Sequence, residues 1–192
     1  MPPVPFDFLA RAILAADATT DIEIPLNFFR RGMLDVVERN FIEAIYDFYF
    51  ILETLFGGGK FKTDAVSAAF LSSSQLRSCV QRGITDPGPM IMLDARIRGS
   101  FEQTYGKMSV ESAIENMIEL RGYLHHHTSK RRGIWNPEDQ HKYEIDALFL
   151  QRVTYNVIFA IAEPYLYSPD VIRVYEDLVR DLNDRTDPAD RS

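Results

Sequence analysis

Apolar residues recur at helical spacing along much of the chain, and no strand-type alternation persists anywhere. In the stretch 26–56 they lie three and four positions apart, which places them on one face of a helix. That face consists of Phe41, Ile45, Phe48, Leu52 and Leu55. Three glycines at 57–59 predict the end of the helix. The pattern therefore predicts one long helix over 26–56.

A second helix is predicted to start near Thr63, which is a suitable N-cap residue with Asp64 in the first turn. Its apolar pattern continues to Gly83. The following stretch 90–106 mixes a short apolar run with glycines, which interrupt regular elements. We expect a short helix and a loop there.

Three clearer helix starts follow. Ser109 is the predicted N-cap of a helix that runs into the histidines at 125–127. The sequence NPED at 136–139 places a capping Asn before a Pro and two acids, which predicts a long helix toward Ala162. The sequence SPDV at 168–171 repeats this signal and opens a last helix.

These elements predict an all-α fold, an antiparallel helical bundle of 192 residues that can bury one core by itself. We expect the main domain over 26–182, preceded at 1–25 by an extension or a short helix and linker. A polar tail at 183–192 is expected to fray. No apolar run reaches the roughly 20 residues that span a bilayer, and the start lacks a basic signal region. We expect a cytoplasmic protein without a membrane helix.

The charge of the chain changes this picture in one place. The net charge is −7, which argues against a broad basic surface for nucleic acid but leaves room for a compact basic site. The sequence RGYLHHHTSKRRG at 121–133 holds three of the four histidines and a basic group. Cys79, the only cysteine, rules out an internal disulfide and is expected to be a small buried hydrophobe.

A charged residue interrupts each of two apolar helix faces. Arg121 continues the line Val110, Ile114, Met117 and precedes Leu124, and Glu53 interrupts the line Ile42, Tyr46, Tyr49 and Phe56. An arginine on a buried face is costly unless a carboxylate, several acceptors or a phosphate meets its charge. We expect Arg121 to pair with Glu53, either as a purely structural ion pair or beside a bound phosphate.

The three histidines suit two roles, RNA cleavage or capping of a helix end, once a metal site is set aside. On a helix, His125, His126 and His127 point about 100° apart and cannot converge on one metal ion, so we expect no metal and no other cofactor. A histidine beside an arginine suits RNA cleavage instead. The imidazole can move a proton at neutral pH, and the guanidinium matches the charge of a phosphorane-like transition state. At the end of a helix, the same histidines could simply complement the helix dipole.

The segment RGYLHHH resembles the motif of HEPN domains, in which four to six residues separate an arginine from a histidine. These small helical bundles include many metal-independent ribonucleases of toxin and phage-defence systems. The aromatic helix AIYDFYFILETLF, the motif at the end of a later helix and the long helix after it are similar to the ApeA-like branch. The resemblance covers roughly residues 26–165 and implies a HEPN-like bundle.

The resemblance assigns roles to individual residues. Arg121 matches the motif arginine, and either His126 or His127 matches the histidine, whereas His125 lies too close for the family pattern. We expect His125, together with the Glu53 found from the apolar spacing, to have a supporting role. An ideal helix puts His126 about 140° from Arg121. The family implies a homodimer in which the motifs of two subunits meet, so one site need not use one face of one helix.

Two functions follow from these residues. The first is a metal-independent endoribonuclease, a toxin or antiviral defence effector, whose RNA phosphates contact Lys130, Arg131 and Arg132. The second is a noncatalytic HEPN-like interaction module or a subunit of a larger defence assembly, and an antitoxin or a larger defence-system partner is the expected regulator. Gly122, where many members carry a polar residue, favours the second and could instead mark a close helix contact.

Overall fold

The computed structural model describes residues 6–16, 20, 22–60, 62–125 and 136–186. Within these residues every regular element is helical, which confirms the all-α class predicted from the sequence. The α-helices are α1 (Phe6–Leu14), α2 (Glu23–Glu38), α3 (Phe41–Phe56), α4 (Thr63–Ser72), α5 (Ser74–Thr85), α6 (Pro89–Met92), α7 (Ala95–Thr104), α8 (Val110–His125), α9 (Glu144–Leu166) and α10 (Pro169–Thr186).

The stretch 26–56 forms α2 and α3, so the prediction of one continuous helix was wrong. Arg39, between the two helices, adopts a left-handed φ of 64°, which turns the chain. Asn40 gives α3 no side-chain cap. Instead, the amide of Ile42 donates to Oε1 of Gln140 at 2.8 Å. The apolar spacing continues on both sides of this turn, and the pattern alone therefore missed it.

The second predicted helix is also divided. Ser73 lies in an extended conformation between α4 and α5, and its hydroxyl accepts the amide of Leu76 at 3.2 Å. Ser73 is thus the N-cap of α5. At the start of α4 the N-cap position belongs to Lys62, so the prediction of Thr63 as the cap was wrong. The stretch between α5 and α8 forms α6 and α7, where one short helix and a loop were expected.

The later helix starts agree with the sequence. The hydroxyl of Ser109 accepts the amide of Ser112 at 3.1 Å and caps α8. The side chain of Asn136 accepts the amide of Glu138 at 3.0 Å, as expected for a capping Asn. The chain then makes a 3₁₀ helix, Pro137–Tyr143, before it continues as α9. The last helix, α10, begins at the predicted proline.

The chain folds as two compact units, of which the larger comprises Ile24–Ile158. In this unit α8 packs against α3, α4 and α5. Fully buried apolar side chains form its interior, among them Ile45, Phe48, Phe70, Ile114, Met117 and Phe149. Because α3 and α8 pack directly, the faces that carry Glu53 and Arg121 belong to one interface.

The smaller unit combines residues 1–23 with 159–192. In it α1 packs against α10, around a cluster of Ala15, Leu166 and Val171. The rings of Phe8 and Phe159 stack with their centroids 6.5 Å apart. The domain boundaries expected near residues 25 and 182 stay a prediction.

One helical stretch within the described residues, Pro137–Leu166, is long and apolar enough to cross a membrane by length and composition alone. Of its most apolar window, 44% is buried inside the fold. Its buried residues include Phe149, Leu150 and Val153, each fully enclosed. Core helices of folded domains have the same length and composition, so this feature is weak support for a membrane span.

Candidate functional site

The two charged residues that interrupt the apolar faces meet in the larger unit. Nη2 of Arg121 lies 3.5 Å from Oε1 of Glu53, which confirms the predicted pair. The two side chains are 26% and 25% exposed, so water reaches the pair. A long, partly hydrated ion pair of this kind contributes only about 0–1 kcal/mol to stability.

The guanidinium of Arg121 is incompletely satisfied. Its Nε is buried and donates to no acceptor among the described residues. By contrast, Nε of Arg11, Arg31 and Arg152 each donates a hydrogen bond, to Asp7, Asp47 and Asp86 respectively. In those three residues Nη2 also contacts the same acidic residue. A buried donor without a partner is uncommon in a folded protein, so the hydrogen bonding of Arg121 is incomplete. The side chain is 26% exposed, and its accessible part, rather than the buried Nε, can meet an anionic ligand.

Two tyrosines of α3 lie near the guanidinium. Cζ of Arg121 is 5.7 Å from the centroid of the Tyr49 ring, within range of a cation–π interaction. Burial raises the pKa of Tyr49, the charge of Glu53 raises it further, and Arg121 opposes both effects. Burial also raises the pKa of Tyr46. Both phenols therefore stay protonated at neutral pH and are not proton acceptors.

Arg121 borders an open pocket of about 560 Å³. The lining side chains that bear on its chemistry are Phe50, Glu53, Lys60, Thr63, Arg121 and His125. Two lysine or arginine cations thus face one carboxylate, in a chain whose net charge is −7. The pocket is locally positive and suits an anionic ligand.

His125 lies in this pocket, although the family pattern gave it only a supporting role. It is the last residue of α8 and follows Arg121 by four positions, so the two share one side of the helix. The proximity of Arg121 and His125 therefore follows from the geometry of the helix alone.

The sequence analysis missed Lys60 and Thr63. Lys60 follows three glycines, which were interpreted only as the end of a helix. Gly58 and Gly59 adopt φ values of 57° and 69°, a left-handed conformation that glycine tolerates best. This turn returns the chain to the pocket, where Lys60 lines it. The signal in the sequence was the combination of a glycine run and a lysine.

The other predicted site residues lie in the segment 126–135, outside the described residues. They are His126, His127, Lys130, Arg131 and Arg132. Their assigned roles stay predictions. The described part of the motif is the arginine, with the supporting residues His125 and Glu53.

Gly122 is half-buried in α8, and the space that a side chain would occupy at this position is open. A Cβ built there meets no atom within 4 Å among the described residues. Within the described residues, Gly122 therefore does not mark a close approach of two helices. Its effect on α8 is the local weakening that glycine causes in any helix.

Neither the cysteine nor a metal site adds to the chemistry of the described residues. Cys79 is 3% exposed, which confirms the expected burial, and that burial raises the pKa of its thiol. A buried, protonated thiol is a poor nucleophile. Among the described residues, no three His, Cys, Asp or Glu side chains form a group that could hold a metal ion.

A second polar cluster lies in the larger unit, formed by Tyr105, Asn116 and Asp146. The hydroxyl of Tyr105 donates to Oδ1 of Asp146 at 2.5 Å and accepts Nδ2 of Asn116 at 2.9 Å. Tyr105 is fully buried. Burial raises the pKa of the Asp146 carboxyl, and the hydrogen bond from Tyr105 partly opposes this. Each member has a partner inside the protein.

Comparisons with protein-family models, with curated proteins and with solved structures found no match to this chain. A functional proposal therefore depends on the residues and their geometry.

Proposed function

We propose that the protein is a HEPN-type, metal-independent endoribonuclease, a toxin or antiviral defence effector acting in the cytoplasm. Arg121 contacts the phosphate that is cut, and His126 or His127 moves the protons. Lys130, Arg131 and Arg132 bind flanking phosphates.

The main support is the state of Arg121. Its guanidinium has one loose carboxylate contact and a buried Nε without a described acceptor, and it borders a locally positive pocket. In a purely structural arginine, both Nε and an Nη nitrogen are expected to donate hydrogen bonds, as they do in Arg31 and Arg152. Spare donors at the arginine position of the motif fit phosphate recognition.

The proposed reaction is an internal transfer at phosphorus. An imidazole accepts the proton of the 2′-hydroxyl while the 2′-oxygen bonds to phosphorus. The bond from phosphorus to the 5′-oxygen breaks, and that oxygen takes up a proton. The products are a 2′,3′-cyclic phosphate and a 5′-hydroxyl, with no change in oxidation state. Arg121 stabilises the charge of the transition state.

The proposal includes a homodimer that brings two copies of the motif together. The larger unit exposes large apolar side chains on α2, with Ile24, Leu34 and Val37 exposed to 64%, 58% and 73%. Exposed apolar groups of this size are candidates for burial between copies. Mass measurement in solution at micromolar concentration is expected to give a dimer, and a strict monomer would contradict the composite site.

The test is RNA cleavage in the presence of EDTA. The purified protein is incubated with single-stranded and structured RNAs, and the ends of the products are identified. We expect cyclic phosphate ends, and His126→Ala is expected to lower the rate by roughly 10² to 10⁴, the usual scale for a lost general acid or base.

Three variants serve as controls. His125→Ala and His127→Ala decide which histidine acts, since all three are neighbours with the same chemistry. Arg121→Lys keeps the charge but loses the fork, so its rate should also fall. Thermal unfolding checks that each variant is folded. If the parent and all histidine variants give the same background on every RNA, the nuclease proposal is wrong.

An interaction module is the second candidate, and the surface of the smaller unit favours it. Three apolar residues spaced four apart on α10, Val174, Leu178 and Leu182, are 42%, 48% and 56% exposed. Such a stripe suits contact with another protein. Replacing Leu178 by Glu should leave cleavage unchanged in a nuclease but should abolish complex formation in a module that works through α10.

A further inference from the structure

The pocket beside Arg121 contains a second cation whose role the proposed function does not explain. Lys60 lines the same pocket but belongs to the loop after α3. The residues described include no ion pair for Lys60. A cation that lines an open pocket without a carboxylate partner is suited to bind an anion there.

The loop that holds Lys60 is a hydrogen-bonded turn with a defined backbone conformation. Gly58 and Gly59 are both left-handed, and the amide of Lys60 donates to the carbonyl oxygen of Gly57 at 3.1 Å. This closed turn places Lys60 at the pocket that Arg121 and His125 border from α8. Thr63, at the first turn of α4, adds a hydroxyl that is not used as a helix cap.

We propose that Lys60, assisted by the Thr63 hydroxyl, binds a phosphate of single-stranded RNA next to the phosphate held by Arg121. This inference rests on the proposed function, because Arg121 defines the neighbouring phosphate. A pocket of about 560 Å³ lies within the usual range of about 300–1,000 Å³ for small-ligand sites. Lys60 is a binding residue that fixes the position of the strand, and it takes no part in proton transfer.

The charge balance of the pocket supports this assignment. Glu53 is the one acidic residue among the described residues that line it, and it is already in contact with Arg121. A second phosphate beside the one at Arg121 would be repelled by it, and a cation within the same pocket reduces that repulsion. Lys60 supplies that cation from a separate element of the fold.

Binding can be measured without cleavage. The full-length parent is titrated against fluorescent single-stranded RNAs whose 2′-hydroxyls are methylated, and anisotropy is followed over a range of salt concentrations. Lys60→Gln is compared with Lys62→Gln. Lys62 lies two residues further along, its side chain is exposed and it does not line the pocket, so its replacement removes the same charge outside the proposed subsite. Thermal unfolding confirms that both variants are folded.

We expect Lys60→Gln to weaken binding roughly tenfold, the scale of a lost charge-assisted contact. The slope of log affinity against log salt should fall by about 0.7, as for one phosphate contact on a single strand. Lys62→Gln should leave both quantities nearly unchanged. Equal effects of the two variants would overturn the proposal, because they would show only general electrostatic attraction.

The same oligonucleotides with free 2′-hydroxyls separate this inference from the proposed function. If binding depends on Lys60 and RNA is not cleaved, the subsite stands and the nuclease proposal fails. If RNA is cleaved and the two lysine variants behave alike, the nuclease stands and the subsite fails. If the parent binds none of the oligonucleotides, the subsite is wrong.

Discussion

Helix α8 carries two polar side chains into the larger unit, and their surroundings differ. Asn116 belongs to a closed cluster, in which its Nδ2 donates to the hydroxyl of Tyr105 at 2.9 Å and that hydroxyl donates to Asp146 at 2.5 Å. Arg121, five residues later, has a 3.5 Å contact with Glu53 and a buried Nε without a described acceptor. One cluster is closed by the protein, and the other borders an open pocket.

The difference separates structural polar groups from candidate binding groups. A fully satisfied buried cluster contributes to the stability of the fold, and removing one member leaves another without its partner. A half-exposed, loosely paired cation contributes little to stability. Such a group adds little to the stability of the fold, whereas its accessible donors can act on a ligand.

The sharpest test of this comparison is the stability of two matched variants. Tyr105→Phe leaves the Asp146 carboxyl without its hydrogen-bond donor and should lower the free energy of unfolding by about 1–3 kcal/mol. Arg121→Lys should lower it by less than about 1 kcal/mol. Urea denaturation measures both. Equal losses, or a larger loss for Arg121→Lys, would show that Arg121 is a structural residue.

The pH dependence of stability provides a second test of the closed cluster. Burial holds the pKa of Asp146 above its ordinary value of 3.8, so the folded protein binds this proton more tightly than the unfolded chain does. The contribution of Asp146 is therefore complete below about pH 4 and is lost as the pH rises through the folded pKa.

Asp146→Asn removes this titration while it keeps an oxygen for Tyr105. The free energy of unfolding of the parent, minus that of the variant, should fall as the pH is raised from about 4. Urea denaturation at pH 4, 5, 6 and 7 measures the difference. A difference that stays constant, or that grows with pH, would mean that burial does not control this carboxyl.

The smallest expected effect concerns the glycine turn beside the open pocket. Gly59→Ala forces an L-residue into a φ of 69° and should cost about 1–2 kcal/mol. Gly99→Ala is the matched control, since Gly99 is helical and open around its Cβ, and it should stabilise by about 0.5–1 kcal/mol. Thermal unfolding measures both changes. If both variants changed the stability in the same direction, the left-handed turn before Lys60 would not be required by the fold.

The sequence predicted the Arg121–Glu53 pair because each charge breaks an otherwise regular apolar line. It predicted the starts of α8, of the 3₁₀ helix before α9 and of α10 because their capping residues are local, and Ser109 and Asn136 do accept the expected amides. Local signals of this kind can be read without the fold. Lys60 has no periodicity because it lies in a loop, and the glycine run before it marks a turn without showing that the turn leads to the pocket.

The breaks between helices show the same limit. The run of serines at 72–74 contained a usable signal, since Ser73 caps α5 through its own hydroxyl. The break before α3 did not, because a left-handed Arg39 has no sequence pattern and the acceptor for Ile42 comes from Gln140. A contact between residues 98 positions apart is set by the fold.

That distant cap has a consequence for synthesis of the protein. The first turn of α3 obtains its acceptor only when residue 140 has been made, 98 residues after Ile42. At about 5–20 residues per second, the delay on the ribosome is roughly 5–20 s. During that time the amide of Ile42 lacks this acceptor, so the first turn of α3, which carries Phe41 and Ile42, both buried in the fold, reaches its final hydrogen bonding only late in synthesis.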